Sequence, residues 1–170
     1  MQIAPSIYAL RHTFRIPVAP GILLGRFVYS YLVYGESITL IDTGVAGCEE
    51  QIFASIWSAG RDSSEIALII LTHSHPDHMG AARAVQQVTR CSIAAHPAEM
   101  AWIEDVERQN SERPVPGFDT LVGGSVRVVS PSVTVTGRVG DDVAAVAGSA
   151  VLDAVVGRDL LMIAGSADLG

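Results

Sequence analysis

Ile66-Ala-Leu-Ile-Ile-Leu-Thr-His-Ser-His-Pro-Asp-His78 decides how this chain is read, because an apolar run gives way there, within one short loop, to three histidines and a carboxylate. Residues 66–71 are a continuous apolar stretch too short for a helix, the mark of a central strand buried on both faces. Beyond the loop from Thr72 to His78, the residues Met79, Ala82, Val85 and Val88 form one apolar stripe, with Arg83, Gln86 and Gln87 lying off it. That spacing predicts a helix packing back on the sheet.

Neutral imidazoles and a carboxylate are the ligands that a borderline divalent ion such as zinc prefers, and a loop at a strand's end can bend so that several converge. In an extended piece His73 and His75 point the same way and can grip one ion. Asp77 and His78 follow the turn at Pro76 and could face a second position. A two-metal site would hold a bridging hydroxide and clamp a developing oxyanion, which is metal-assisted hydrolysis. The competing reading is a polar loop in which Asp77 merely caps the next helix. It accounts for one such residue more readily than for four within six positions.

Working outward, Phe27 to Tyr34 and Ser37 to Ile41 are rich in β-branched and aromatic residues around Gly35-Glu36, which predicts a β-hairpin. Cys48, Ile52, Ile56 and Ala59 recur at helical spacing until Gly60. Ser92 to His96 reads as a short strand, and Pro97 opens a helix through Met100, Ile103 and Val106 to about Gln109. Residues 110–124 read as a loop, with Gly123-Gly124 as a turn signal. Text from Val126 onward is β-like, Val133 to Thr136 alternates, and Leu160 to Ala164 reads as a last buried strand. No internal repeat is evident. Strands alternating with helices point to one layered α/β domain over residues 1–170.

Hydrophobic residues make up 49% of the chain and charged ones 17%, which excludes intrinsic disorder. Eleven basic against eighteen acidic residues give a net charge of -7, which would repel a phosphate backbone, so nucleic acid is a poor partner. Cys48 and Cys91 stand apart without a Cys-x-x-Cys and read as ordinary thiols of a reducing compartment. Arg11, His12 and Arg15 interrupt any signal-like hydrophobic run, and no stretch is long enough to span a membrane. The expectation is a cytoplasmic protein without membrane contact, acting on a small-molecule substrate.

The pattern His-x-His-x-Asp-His at His73, His75, Asp77 and His78, with Leu-Thr before it and Gly80 after it, resembles the signature of the metallo-β-lactamase superfamily. Tyr31-Leu-Val-Tyr-Gly35 and Leu40-Ile-Asp-Thr-Gly44 are similar to the family's first strands. The resemblance covers about residues 7–131. It implies a metallo-β-lactamase-like αββα sandwich, with His73 and His75 on one metal and Asp77 with His78 on a second. It also implies zinc as cofactor, one or two ions, with iron or manganese as alternatives. Asp77 is the candidate catalytic residue, orienting a metal-bound hydroxide that attacks an ester, thioester, lactone or similar substrate. Asp42 matches a family carboxylate near the site, and equally suits a turn residue ending its strand.

Residues 132–170 depart from the pattern. No histidine follows His96, whereas the family places further metal-binding histidines downstream. Gly165-Ser166 resembles the family's Gly-Asp element with Ser166 in place of the bridging Asp, and Asp168 lies two residues on. The second half of the sandwich therefore reads as incomplete. The alternative function is a remnant that binds metal weakly or serves as an interaction domain, and an uncovered sheet edge suggests a homo-oligomer. His96 reads as a strand-end residue more than a ligand, His12 has no partner in sequence, and Trp57 and Trp102 read as packing residues.

Overall fold

The computed structural model describes residues 1–124, 126, 132–139, 143–156 and 160–169, the last three ranges by backbone and register. Six strands build the first sheet in chain order: β1 (Gln2–Ala4), β2 (Ile7–Ala19), β3 (Ile22–Tyr34), β4 (Ile38–Ile41), β5 (Ile66–Leu71) and β6 (Ser92–Ala95). The first four pair antiparallel, while β4 with β5 and β5 with β6 pair parallel. Parallel neighbours need crossovers. The first contains α1 (Glu49–Ser58), and the second contains α2 (Pro76–Met79) and α3 (Ala82–Thr89). Three further helices follow β6: α4 (Pro97–Ile103), α5 (Val106–Glu112) and α6 (Phe118–Leu121).

A β-bulge sets which side chains reach the core. Ile38 pairs with Ile66 but Thr39 pairs with Leu68, so Ala67 is an extra residue that switches the faces of β5. Ile66, Ile69 and Leu71 thereby join Ile38 and Leu40 in one buried cluster with Ile52, Ile56, Met79, Ala82 and Val85. Each of the Ile, Leu, Val and Met side chains contributes roughly 1.5–3 kcal/mol by leaving water. Thr39, Ile41, Leu68 and Ile70 lie on the opposite face and are only half-buried. The run 66–71 is therefore sealed on one face rather than on both.

Several expectations shift. The helix predicted from Pro97 to Gln109 breaks in two, since Asp105 accepts from the Arg108 amide and starts α5. The stretch read as a loop holds the end of α5 and all of α6. Val88 is exposed although Met79, Ala82 and Val85 are buried, and Trp57 is 80% exposed instead of packed. Trp102 does pack, donating to Glu112 Oε2 at 2.8 Å with the Arg113 guanidinium 3.5 Å above its ring, which joins α4 to α5.

The last strands are β7 (Ser132–Val139), β8 (Val143–Val156) and β9 (Leu160–Leu169), which form a separate parallel sheet. Their register has one step throughout: Ser132 pairs with Ser149, and Ser149 with Ser166, each 17 residues apart. Seventeen extended residues would reach about 56 Å, yet the partner strand lies about 5 Å away. The chain must therefore coil back on itself once per 17 residues. The sequence carries the same period, with Gly140, Asp142, Val143, Val146, Ala147, Gly148 and Ser149 matched by Gly157, Asp159, Leu160, Ile163, Ala164, Gly165 and Ser166. An internal repeat is present after all, and Gly165-Ser166 is its second Gly-Ser step.

His12 shows how β2 enters the core. It pairs with Val28 and points inward, where Nδ1 donates to Gln51 Oε1 at 2.9 Å and Nε2 accepts from Ser30 Oγ at 2.7 Å. Burial lowers its pKa, and the Gln51 hydrogen bond only partly opposes that. The folded value lies below the ordinary histidine value near 6.5, so the unfolded chain takes up this proton first as the pH falls. His12 is thus expected to cost nothing above pH 7 and to destabilise progressively as the pH drops through about 6.5 toward its folded pKa. Urea midpoints measured for wild type and His12→Gln from pH 7.5 to 5 check this. The wild type should show the steeper acid-side loss, and parallel curves would contradict it.

Candidate metal centre

The loop after β5 carries the sequence-predicted residues, and the structure draws their imidazoles together. The ring centroids of His73 and His75 are 4.5 Å apart, and those of His73 and His78 are 4.2 Å apart. Asp77 Oδ2 lies 3.9 Å from His78 Nε2. His73 therefore neighbours both other rings in a single cluster. Pro76 at the first position of α2 tolerates the missing amide, with His75 as the extended residue before it. Asp77 sits inside the helix and does not cap it.

Asp42 organises this cluster. It ends β4 in the left-handed region, at φ 54°, a conformation that Asp tolerates better than most residues. From there its buried carboxylate accepts from the Thr72 amide at 2.9 Å and from Thr72 Oγ1 at 2.8 Å, and also from His78 Nδ1 at 2.8 Å. The Thr72 hydroxyl, its proton directed to Asp42, accepts in turn from His73 Nδ1 at 2.9 Å. Asp42 thus fixes the tautomer of two imidazoles, one directly and one through Thr72, and leaves the Nε2 lone pair of each free. Next in chain, Thr43 holds the His78 carbonyl with its amide at 2.7 Å and its hydroxyl at 3.1 Å. Both readings of Asp42, turn residue and site carboxylate, describe the same geometry.

The middle of the loop is held from the other side. Ser74 is fully buried between the ligand candidates. Its amide and hydroxyl donate to Glu99 Oε2 at 2.9 and 2.6 Å, and its carbonyl accepts from Gln109 Nε2. Arg113 Nη1 lies 3.6 Å from the same Glu99 oxygen. Sequence reasoning missed this clamp because Glu99 and Gln109 stand on two later helices, with Arg113 just past the second, and no local pattern links them to the loop. His96 caps α4, its Nδ1 accepting from the Ala98 amide at 3.1 Å.

Electrostatics differ around the cluster. Burial pulls the His78 pKa down, but the Asp42 hydrogen bond and the charges of Asp42 and Asp77 outweigh it and leave a net rise. For His73, burial and the neighbouring His78 and His75 lower it. Burial would raise Glu99, yet the Ser74 hydrogen bonds and the Arg113 charge hold it below the usual carboxylate range.

Three imidazoles and one carboxylate are a donor set that suits a borderline divalent ion, and the tautomers fixed at His73 and His78 leave their Nε2 atoms unprotonated. Among the described residues, no three His, Cys, Asp or Glu side chains are already closed into an assembled metal site. The fit is one of donor chemistry and proximity. Ser166 and Asp168 lie on β9, where Ser166 is in register with Ser149 and Asp168 with Val151; their side chains are outside the described residues. Ser166 stands in register with Ser149, and Ser149 with Ser132, at steps of 17 residues.

Comparison with known proteins places the chain. The family model of the metallo-beta-lactamase superfamily matches residues 23–155, and the chain belongs to that superfamily. Among solved structures, the metallo-beta-lactamase GOB-18 from Elizabethkingia meningoseptica is similar at TM-score 0.52 and 24% identity, covering 60% of this chain and 37% of that one. A beta-lactamase from Chitinophaga pinensis matches at TM-score 0.52 and 28% identity, over 60% and 38% of the two chains. The metallo-beta-lactamase MIM-1 from Novosphingobium pentaromativorans matches at TM-score 0.51 and 28% identity, over 60% and 37%. The chain thus spans less than two-fifths of the length of these neighbours. The fold is the α/β fold of that superfamily. A comparison with curated protein sequences finds no match. Among the described residues, no helix is long and apolar enough to cross a membrane.

Outer-shell partners of metal-binding histidines typically control affinity by ten- to hundredfold. Asp42→Asn should therefore weaken zinc binding by about that factor, because an amide cannot accept from both His78 and Thr72 as the carboxylate does. Competition against a chromophoric chelator, with circular dichroism to verify folding, measures it. Unchanged affinity in a folded Asp42→Asn variant would show that the tautomer lock is irrelevant to metal binding.

Proposed function

We propose that this chain carries a metal-dependent hydrolase site that acts on an ester, thioester, lactone or similar small acyl substrate. The observation that carries the reading is the clustering of three imidazoles beside Asp77, with two tautomers fixed through Asp42, at the edge of an open cavity of about 250 Å³. His73, His75, Asp77 and His78 are the residues that would hold zinc. A bound divalent ion supplies Lewis acidity toward a carbonyl and lowers the pKa of a water molecule.

The remaining work falls to the chain. Asp77 lines the cavity and is partly exposed, so it can orient the attacking water and accept its proton. His75, exposed on the same wall, presents its ring to the space a substrate would occupy. Asp42 and Glu99 keep the loop in place from its two sides. The cavity walls exclude water from one side of a bound acyl group, which strengthens polar interactions at the reacting end.

A second reading, a catalytically impaired remnant, is favoured by one specific feature. Residues 97–170 contain no histidine, and the strands 132–139, 143–156 and 160–169 are taken up by the 17-residue repeat. Four protein donors suffice for one well-held ion but not for two. The expected outcome is about one zinc per chain by elemental analysis and slow hydrolysis of activated esters or thioesters. Turnover should be abolished by a chelator and lowered about a hundredfold or more by His75→Ala. Turnover that survives both treatments would refute the metal-dependent reading, while normal zinc content with no turnover would establish the remnant.

A further inference from the structure

We infer that Arg26 is the anion-recognising residue of the cavity beside His75 and Asp77, and that the substrate joins a small apolar body to a carboxylate. This rests on the hydrolase reading for the reaction and goes beyond it in naming the class of molecule that the site selects.

Three segments wall the cavity. The β2–β3 hairpin contributes Phe14, Ile16 and Arg26, the loop after β5 contributes His75 and Asp77, and residues 115–121 contribute Val115 and Leu121. The lining is mostly apolar, and its formal charges are Asp77 at the hydrolytic end and Arg26 on the hairpin. At about 250 Å³ the space is below the range of drug-sized sites, so its occupant is small.

Arg26 differs from the other arginines near it. In the hairpin register it pairs with Phe14, on the face that continues inward to the buried pair His12 and Val28. Arg11 and Arg15 alternate onto the opposite face, and the Arg11 guanidinium lies 4.2 Å over the Phe27 ring. Arg61, Arg108 and Arg113 each have a carboxylate partner, in Glu65, Glu112 and Glu99. Among the described residues Arg26 has none, and its side chain is exposed beside the cavity. An unpaired guanidinium presents a planar fork of donors that matches a carboxylate.

The charge distribution points the same way. The chain carries a net charge of -7, yet residues 1–35 contain Arg11, Arg15 and Arg26 and not one Asp or Glu. The hairpin is thus a local positive region on an acidic protein, and its field favours entry of an anion at this edge of the cavity. Asp77 in the same cavity and the acidic remainder of the chain disfavour a doubly charged group, which selects a carboxylate over a phosphate monoester. An apolar body between the two ends would rest on Phe14, Ile16, Val115 and Leu121.

Binding to the metal-free full chain separates this site from any metal. Calorimetric titration with 4-phenylbutanoate and with 4-phenylbutanamide should show the carboxylate bound at least about tenfold more tightly by wild type, a difference of about 1.4 kcal/mol. Arg26→Gln should erase the difference while leaving amide binding intact, and Arg26→Lys should retain part of it. A preference that persists in Arg26→Gln, equal binding of both probes by wild type, or tighter binding of benzyl phosphate than of the carboxylate would overturn the assignment. The zinc-loaded chain is then assayed on matched anionic and neutral esters. Failure to hydrolyse either, with the Arg26-dependent preference intact, removes the hydrolase reading and leaves the anion site standing.

Discussion

One carboxylate holds the working end of this molecule together. Asp42 stands at the end of β4, reaches the first residue after β5 through the Thr72 amide and hydroxyl, and reaches α2 through His78. Two adjacent parallel strands and the helix following the second are thereby joined at a single buried group. The left-handed turn at Asp42 is the local condition for this, since it redirects the chain out of the strand and aims the side chain across the sheet end. An anion buried to this degree is stable only when its lone pairs are filled. Three donors do that, the Thr72 amide, the Thr72 hydroxyl shared between both oxygens and His78 Nδ1, and each of them also constrains the histidine cluster.

Glu99 provides the complementary restraint. Asp42 acts on the two ends of the loop, whereas Glu99 grips its centre by accepting both donors of Ser74. With the Ser74 carbonyl taken by Gln109, every polar group of that residue is engaged while it is excluded from water. A loop with three histidines so close in sequence would otherwise sample many arrangements, and ordering its backbone costs roughly 1–2 kcal/mol per residue. Two helices that carry no candidate ligand thus act on the site through a serine. The close approach is completed at Gly80, where a Cβ would collide with the Leu121 carbonyl and lie 2.7 Å from the Ala46 amide. Only glycine lets α2 pack so tightly on α6.

What the sequence disclosed follows from how local each signal is. The strand, loop and helix around His73 to His78 are read from contiguous residues, and so are β4, α1 and the second half of β3. β2 escaped notice because its inward positions include His12, whose polarity hides the alternation until Gln51 and Ser30 are seen to satisfy it. The face switch in β5 depends on a bulge that only the pairing with β4 reveals. Asp42 was visible as a candidate, but its coupling to His73 through the Thr72 hydroxyl joins residues some 30 positions apart. Glu99 and Arg26 had no signature at all, since their roles come from helix packing and hairpin register. The 17-residue repeat was present in the letters and is obscured by substitutions such as Thr136 against Asp153 and Gly137 against Ala154.

That repeat changes how the departures from the family pattern are understood. A Gly-Ser step that occurs once near the end of such a chain invites comparison with a Gly-Asp element that has lost its acid. The same step at positions 148–149 and 165–166 is a periodic feature of a coil, with Ser132 in register one turn earlier. Periodicity restricts these residues by the geometry of stacking, because each position must suit its neighbour one strand spacing away along the parallel ladder. A metal ligand has the opposite requirement, a single side chain at a single place. In the described strands 132–139, 143–156 and 160–169 the register is that of a parallel coil, in which Ser132, Ser149 and Ser166 hold equivalent places. The clustered imidazoles belong to the other part of the chain, where Asp42 and Glu99 hold their loop in place from its two sides.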